Sequence, residues 1–207
     1  MLKLIFFDTE TTGNTEKDFL CQIAYKCGEE SFVGLYKPPI KIPPEASAIH
    51  HITNKMVVDK PTFKESTDQP IIKKLFEDKD SIIVAHNAPF DLLIISKEDI
   101  VPRKFICTLR VARYLDKEGK IERYNLQYLR YLLELEIEAT AHDALGDVLV
   151  LEKLFERLKN KIKHLGKKVE EVLKTDRGYL EWLLAQKLEG DQIEDDWIYT
   201  LKHHLKK

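Results

Sequence analysis

The apolar residues of this chain fall first into short, strand-length runs and later into the three-and-four spacing of helices. Residues 2–7 form an apolar run broken only by Lys3, which predicts a buried strand, and a polar turn follows through Gly13 and Asn14. Residues 19–27 and 31–36 predict two more strands, with Gly28, Glu29 and Glu30 as the hairpin turn between them. A proline-bounded loop from Pro38 to Pro44 leads to a short helix within 46–58, and 71–76 has helical spacing. The β-branched run 81–85 predicts a central strand. Pro89 then suits the first turn of a helix that carries Phe90, Asp91, Leu92 and Leu93. Residues 105–108 predict an edge strand, and 111–115, 126–133 and 144–158 predict amphipathic helices.

A strand meander followed by strands alternating with helices implies an α/β domain, with a mixed sheet flanked by helices. A lysine-rich stretch at 159–166 marks the boundary, so 1–158 is the expected main domain and 159–207 a small helical C-terminal appendage. The tail contains 178–184 and a second helix at 197–205. Its few large apolar residues predict that it docks on the main domain, with Tyr179 and Trp182 packing there.

Composition narrows the class. A 207-residue chain that is 43% hydrophobic can bury a core without staples. Cys21, Cys27 and Cys107 are an odd number outside any metal or redox spacing, so the expectation is small hydrophobes in a reducing cytosol. No basic region with a cleavage site precedes the first strand, and no run approaches the roughly 20 apolar residues that span a bilayer. A soluble, cytoplasmic protein with no membrane association is the expectation. The net charge of −2 neither supports nor excludes a nucleic-acid partner. Bound divalent cations would make an acidic site favourable to phosphate.

Three acidic motifs remain, each at the start or end of a predicted element. Asp8 and Glu10 follow the first strand at a spacing that sends both side chains to one side of an extended chain; turn formation is their other reading. Asp91 sits just inside a helix, where it fits either a metal or the helix macrodipole, and His86 fits loop hydrogen bonding as well as function. In His142-Asp143-Ala144-Leu145-Gly146-Asp147, Asp143 is a ready N-terminal cap. Asp147 lies beside the buried face of its helix, and a carboxylate there needs a partner such as a metal. Together the motifs are what phosphodiester cleavage requires: carboxylates converging on two hard cations, Mg²⁺ by ligand preference with Mn²⁺ as substitute.

Asp8-x-Glu10, Asn87-x-x-Phe90-Asp91 and His142-x-x-x-x-Asp147 resemble the three motifs of the DnaQ-like 3′→5′ exonucleases, in the histidine branch. The resemblance implies a ribonuclease H-like fold with a five-stranded mixed sheet. It implies Asp8, Glu10, Asp91 and Asp147 as ligands of two metal ions, and His142 as general base. It further implies DNA 3′ ends as substrate, with RNA not excluded, and contacts to the terminal nucleotide from Thr11, Thr12, His50, Asn87 and Phe90. Residues 48–53, Ile106-Cys107-Thr108, and 178–183 with 200–203 are similar to the exodeoxyribonuclease X type. Where that tail carries a Phe-Gly-Lys-Tyr-like segment, this chain has only His164-Leu165-Gly166-Lys167-Lys168. The rival readings are a polymerase proofreading subunit, an oligoribonuclease-like enzyme, and a nucleic-acid-binding module on a dead nuclease scaffold. Nothing in the sequence points to an obligatory protein partner.

Overall fold

The computed structural model describes residues 2–137, 144–161, 167–189 and 195–206. His142 and Asp143 therefore lie outside the described residues. The chain divides into two units, Met1–Lys161 and Ile162–Lys207.

The first unit is built on strands β1 (Lys3–Thr11), β2 (Leu20–Cys27), β3 (Glu30–Leu35), β4 (Ser81–Ala85) and β5 (Phe105–Cys107). They form one sheet in the order β3-β2-β1-β4-β5. β1 and β2 pair antiparallel, as do β2 and β3, whereas β4 runs parallel to both β1 and β5. The five-stranded mixed sheet expected from the sequence is thus present. Among the described residues this unit has seven helices: α1 (Pro44–His50), α2 (Asn54–Val57), α3 (Asp68–Phe76), α4 (Ala88–Ser96), α5 (Thr108–Leu115), α6 (Leu126–Leu132) and α7 (Ala144–Lys159).

Two-residue periodicity sorts β1 between two cores. Ile5 and Phe7 turn toward α3 and α4, joining Phe76, Ile94 and Ile95, with the Phe7 and Phe76 rings packed edge to face at 5.3 Å. Phe6 turns to the opposite face and meets Val148, Leu151 and Phe155 of α7. Complete burial of each such side chain stabilises the fold by about 1.5–3 kcal/mol. The Lys26–Glu152 ion pair, at 2.6 Å, adds a polar tie between β2 and α7.

The structure departs from the sequence pattern at two places that shape the site. β1 does not end at Phe7. Its backbone stays in the ladder through Asp8↔Ala24, Glu10↔Gln22 and Thr11↔Leu20, so the polar residues lie within the strand rather than in a turn. The register shifts between Glu10 and Thr11 and leaves Cys21 as the extra residue of a bulge, buried against Ile42 and Ile52. The helix expected within 46–58 is two helices, α1 and α2, because His51 adopts a left-handed conformation (φ 63°) that ends the first.

The second unit holds α8 (Val169–Thr175), α9 (Arg177–Glu189) and α10 (Asp195–Leu205). It gathers a buried cluster of its own from Val172, Leu180, Leu184, Leu201 and Leu205, which the sparse apolar pattern did not predict. Tyr179 packs against this cluster and lies beside the more exposed Trp182, their ring centres 5.8 Å apart. All three cysteines are free. Among the described residues, no helix is long and apolar enough to cross a membrane.

Candidate active site

β1 supplies two acids. Asp8 and Glu10 share the face of the strand on which Phe6 meets α7, because they follow it at steps of two. α7 crosses that face and presents Asp147 from its first turn, buried beside the core residue Val148. Carboxylate oxygens of Asp8, Glu10 and Asp147 lie within 4.8 Å of one another. The start of α7 is held to the sheet by Gln22, whose side-chain oxygen accepts from the Ala144 amide at 3.2 Å.

The fourth acid arrives from the other face. Asp91 sits in the first turn of α4, just beyond the end of β4, which is the parallel neighbour of β1. Its buried carboxylate accepts a 2.7 Å hydrogen bond from the Thr9 hydroxyl. Asp91 is thereby placed next to the three-acid cluster and is the strongest charge acting on Asp8.

Crowding perturbs these acids. Desolvation, and then the charges of Asp91, Glu10 and Asp147, hold the Asp8 carboxyl well above the usual carboxylate range. Burial pushes Asp91 up to about 7, against the opposing hydrogen bonds from Thr9 and from backbone amides. Several carboxylates this close do not ionise together without a compensating charge. An all-oxygen donor set whose own repulsion a cation would relieve fits divalent magnesium or manganese.

A cleft of about 440 Å³ opens beside the acids, with Glu10 in its wall. Thr11, Thr12, Ile49, His50 and Phe90 also line it. Several of these residues have duties inside the protein. The Thr12 amide donates to the Phe19 carbonyl at 2.9 Å and its hydroxyl to Asp18 at 3.0 Å. The Thr11 hydroxyl donates to the Gly13 carbonyl. His50 joins two segments: its Nδ1 accepts from the Ile52 amide at 3.0 Å, so Nε2–H donates to the Thr11 carbonyl at 3.1 Å. Asn87 is exposed, takes a left-handed conformation (φ 66°) at the head of α4, and is not among the residues lining the cleft.

His86 has a structural role. Its Nε2–H donates to the Tyr124 carbonyl at 2.6 Å, and Nδ1 contacts the Thr108 hydroxyl at 2.9 Å. Burial lowers its pKa, which favours the neutral ring that this pattern needs. Sequence reasoning did not single out Thr9, Gln22 or Gln127, which contacts Asp147 from α6. For Gln22 a signal existed: it is the one polar residue in the otherwise apolar stretch 20–25 of β2.

Comparison with known proteins agrees with this arrangement. Residues 5–155 match the family described as Exonuclease, and residues 163–187 match Exodeoxyribonuclease X-like C-terminal. The chain is 33% identical over 161 residues to DNA polymerase III subunit epsilon of Treponema pallidum, covering 72% of this chain and 73% of that protein. It is 29% identical over 195 residues to Exodeoxyribonuclease 10 of Escherichia coli K12, covering 83% of each. A solved structure of Exonuclease X in complex with 5′ overhanging duplex DNA superimposes with a TM-score of 0.59 at 29% identity, covering 78% of this chain and 92% of that one. A mixed sheet with acids on β1, α4 and α7, together with a family match over most of the first unit, makes this chain a member of the DnaQ-like 3′→5′ exonuclease family.

Proposed function

We propose that this protein removes nucleotides from DNA 3′ ends, acting on single strands and on duplex ends in repair or end processing. Water attacks the terminal phosphodiester, the bond from phosphorus to the 3′-oxygen breaks, and a nucleoside 5′-monophosphate leaves. The observation that carries the reading is the convergence of Asp8, Glu10 and Asp147 with Asp91 beside them. These four would hold two Mg²⁺ ions, with Mn²⁺ as substitute. Once bound, such ions activate water and stabilise the leaving oxygen. His142 would take the proton of the attacking water, a task suited to an ordinary histidine pKa near 6.5. The cleft walls at Thr11, Ile49, His50 and Phe90 would receive the terminal nucleotide, and their volume suits a ligand of that size.

DNA is favoured over RNA by the likeness to Exodeoxyribonuclease 10 across 83% of both chains. A second reading, a polymerase proofreading subunit, draws on the likeness to the epsilon subunit. The tail weighs against it, since residues 163–187 match the exodeoxyribonuclease X type. Purified protein incubated with 3′- and 5′-labelled single- and double-stranded DNA and RNA, with Mg²⁺ or with chelator, tests the reading. Release of 5′-monophosphates from DNA 3′ ends, without any polymerase and only with metal, is the expected result. Products from RNA alone would move the assignment to an oligoribonuclease-like enzyme, and no products with metal would leave a binding module.

A further inference from the structure

Asp147 does not stand on its own rotamer. Gln127, at the start of α6, directs its side-chain Nε2 at the Asp147 Oδ1. One turn further on, Arg130 donates from Nη1 to the Gln127 Oε1 at 3.4 Å, and from Nη2 to the Ile137 carbonyl at 2.5 Å. The two ends of this chain fix the amide. A guanidinium only donates and a carboxylate only accepts, so the Gln127 oxygen must face Arg130 and its NH₂ must face Asp147. α6 itself is anchored by the Asn125 side chain, which accepts from the Tyr128 amide at 2.9 Å, and by Leu129, which is wholly buried against Leu154 of α7. Gln127, Arg130 and Asp147 are therefore set on two packed helices rather than on loops.

Such an arm has a specific consequence at a carboxylate cluster. A carboxylate held by a side-chain amide keeps one oxygen bound to the protein and has its plane fixed relative to the neighbouring Asp8 and Glu10 carboxylates. A neutral donor also holds the Asp147 carboxylate without adding a positive charge that would repel a cation. Partners of this kind, which orient a ligating group, typically contribute 10–100-fold to metal affinity.

We propose that Gln127, locked by Arg130, is the positioning residue that presents Asp147 to the divalent cations. The inference rests on the exonuclease reading of the same site. Gln127→Leu removes the donor and keeps the helix, and Arg130→Lys keeps the charge but loses the planar fork that clamps the amide. Mn²⁺ binding to the chelator-treated full chain, followed by electron paramagnetic resonance without nucleic acid, should weaken about tenfold in Gln127→Leu and less in Arg130→Lys. The Mg²⁺ concentration for half-maximal hydrolysis should shift by the same factors, and turnover should recover toward normal at high Mg²⁺. Thermal unfolding in chelator should stay near wild type for both. Should Gln127→Leu misfold, Arg130→Lys carries the test. Wild-type Mn²⁺ affinity in the folded variants of an active enzyme would overturn the positioning role alone. Absence of Mn²⁺ binding and of hydrolysis in the unmodified chain would overturn both this inference and the exonuclease reading.

Discussion

Thr9 and Asp91, 82 residues apart in the chain, are joined by a 2.7 Å buried hydrogen bond that ties α4 to the tip of β1. Thr9 lies between two of the acids yet points to the opposite face, so one strand reaches both groups of carboxylates. Thr9→Val keeps the shape and deletes the donor. Loss of a buried hydrogen bond to a charged acceptor costs about 1.5–3 kcal/mol. Urea denaturation with Mg²⁺ present should therefore show a lower midpoint with unchanged slope, and hydrolysis should fall as Asp91 loses its orientation. An unchanged midpoint together with full activity would remove Thr9 from the site.

Asp8 faces the like charges of Asp91, Glu10 and Asp147, and its removal has two opposite effects. Asp8→Asn should abolish Mg²⁺-dependent hydrolysis, as should Asp147→Ala. In chelator, however, Asp8→Asn should melt higher than the unmodified chain, since the repulsion from Asp91, Glu10 and Asp147 is relieved. A gain of about 1 kcal/mol corresponds to about 2–4 °C in a domain of this size. A lower melting temperature in chelator would show that the cluster is not held under electrostatic strain.

For His142 the expected signature is kinetic. His142→Ala should lower turnover by about two orders of magnitude or more while leaving Mn²⁺ affinity unchanged. The neutral ring is the active form of a base, so the rate should rise with pH through its pKa and then level off. That ascending limb should vanish in the variant. A profile that keeps it would assign the base elsewhere.

Gly13 faces the Asp18 carboxylate so closely that a Cβ there would sit 2.6 Å from its oxygen. Asp18 cannot easily yield, because it accepts from the Thr15 amide at 2.8 Å, from the Thr15 hydroxyl at 2.7 Å and from the Thr12 hydroxyl at 3.0 Å. Gly13→Ala should cost about 1–3 kcal/mol by overpacking. The pair should be non-additive: once Asp18→Ala has removed the obstacle, adding Gly13→Ala should cost little. Thermal melts of the two single variants and the double variant measure this coupling directly.

Local pattern was a good guide wherever the backbone and one apolar face decide the outcome. The run 81–85 became β4, and the three-and-four spacing after Ala144 became α7. Reading the end of an apolar run as the end of a strand failed at Asp8, because backbone pairing with β2 does not depend on side-chain polarity. The break at His51 was equally hidden, since a single left-handed residue leaves no hydrophobic signature. In the tail, five apolar residues too widely scattered to form a clear stripe still share one cluster.

Three acidic motifs, in order and at element ends, were set by the sequence, and with them the kind of cation chemistry open to the chain. Which acids touch was decided only by tertiary structure: insertion of β1 between β2 and β4 puts α7 over one face of the strand and α4 beyond the other. The Thr9–Asp91 and Gln127–Asp147 contacts follow from that placement, because hydrogen bonds depend on distances of a few ångströms that no spacing along the chain encodes.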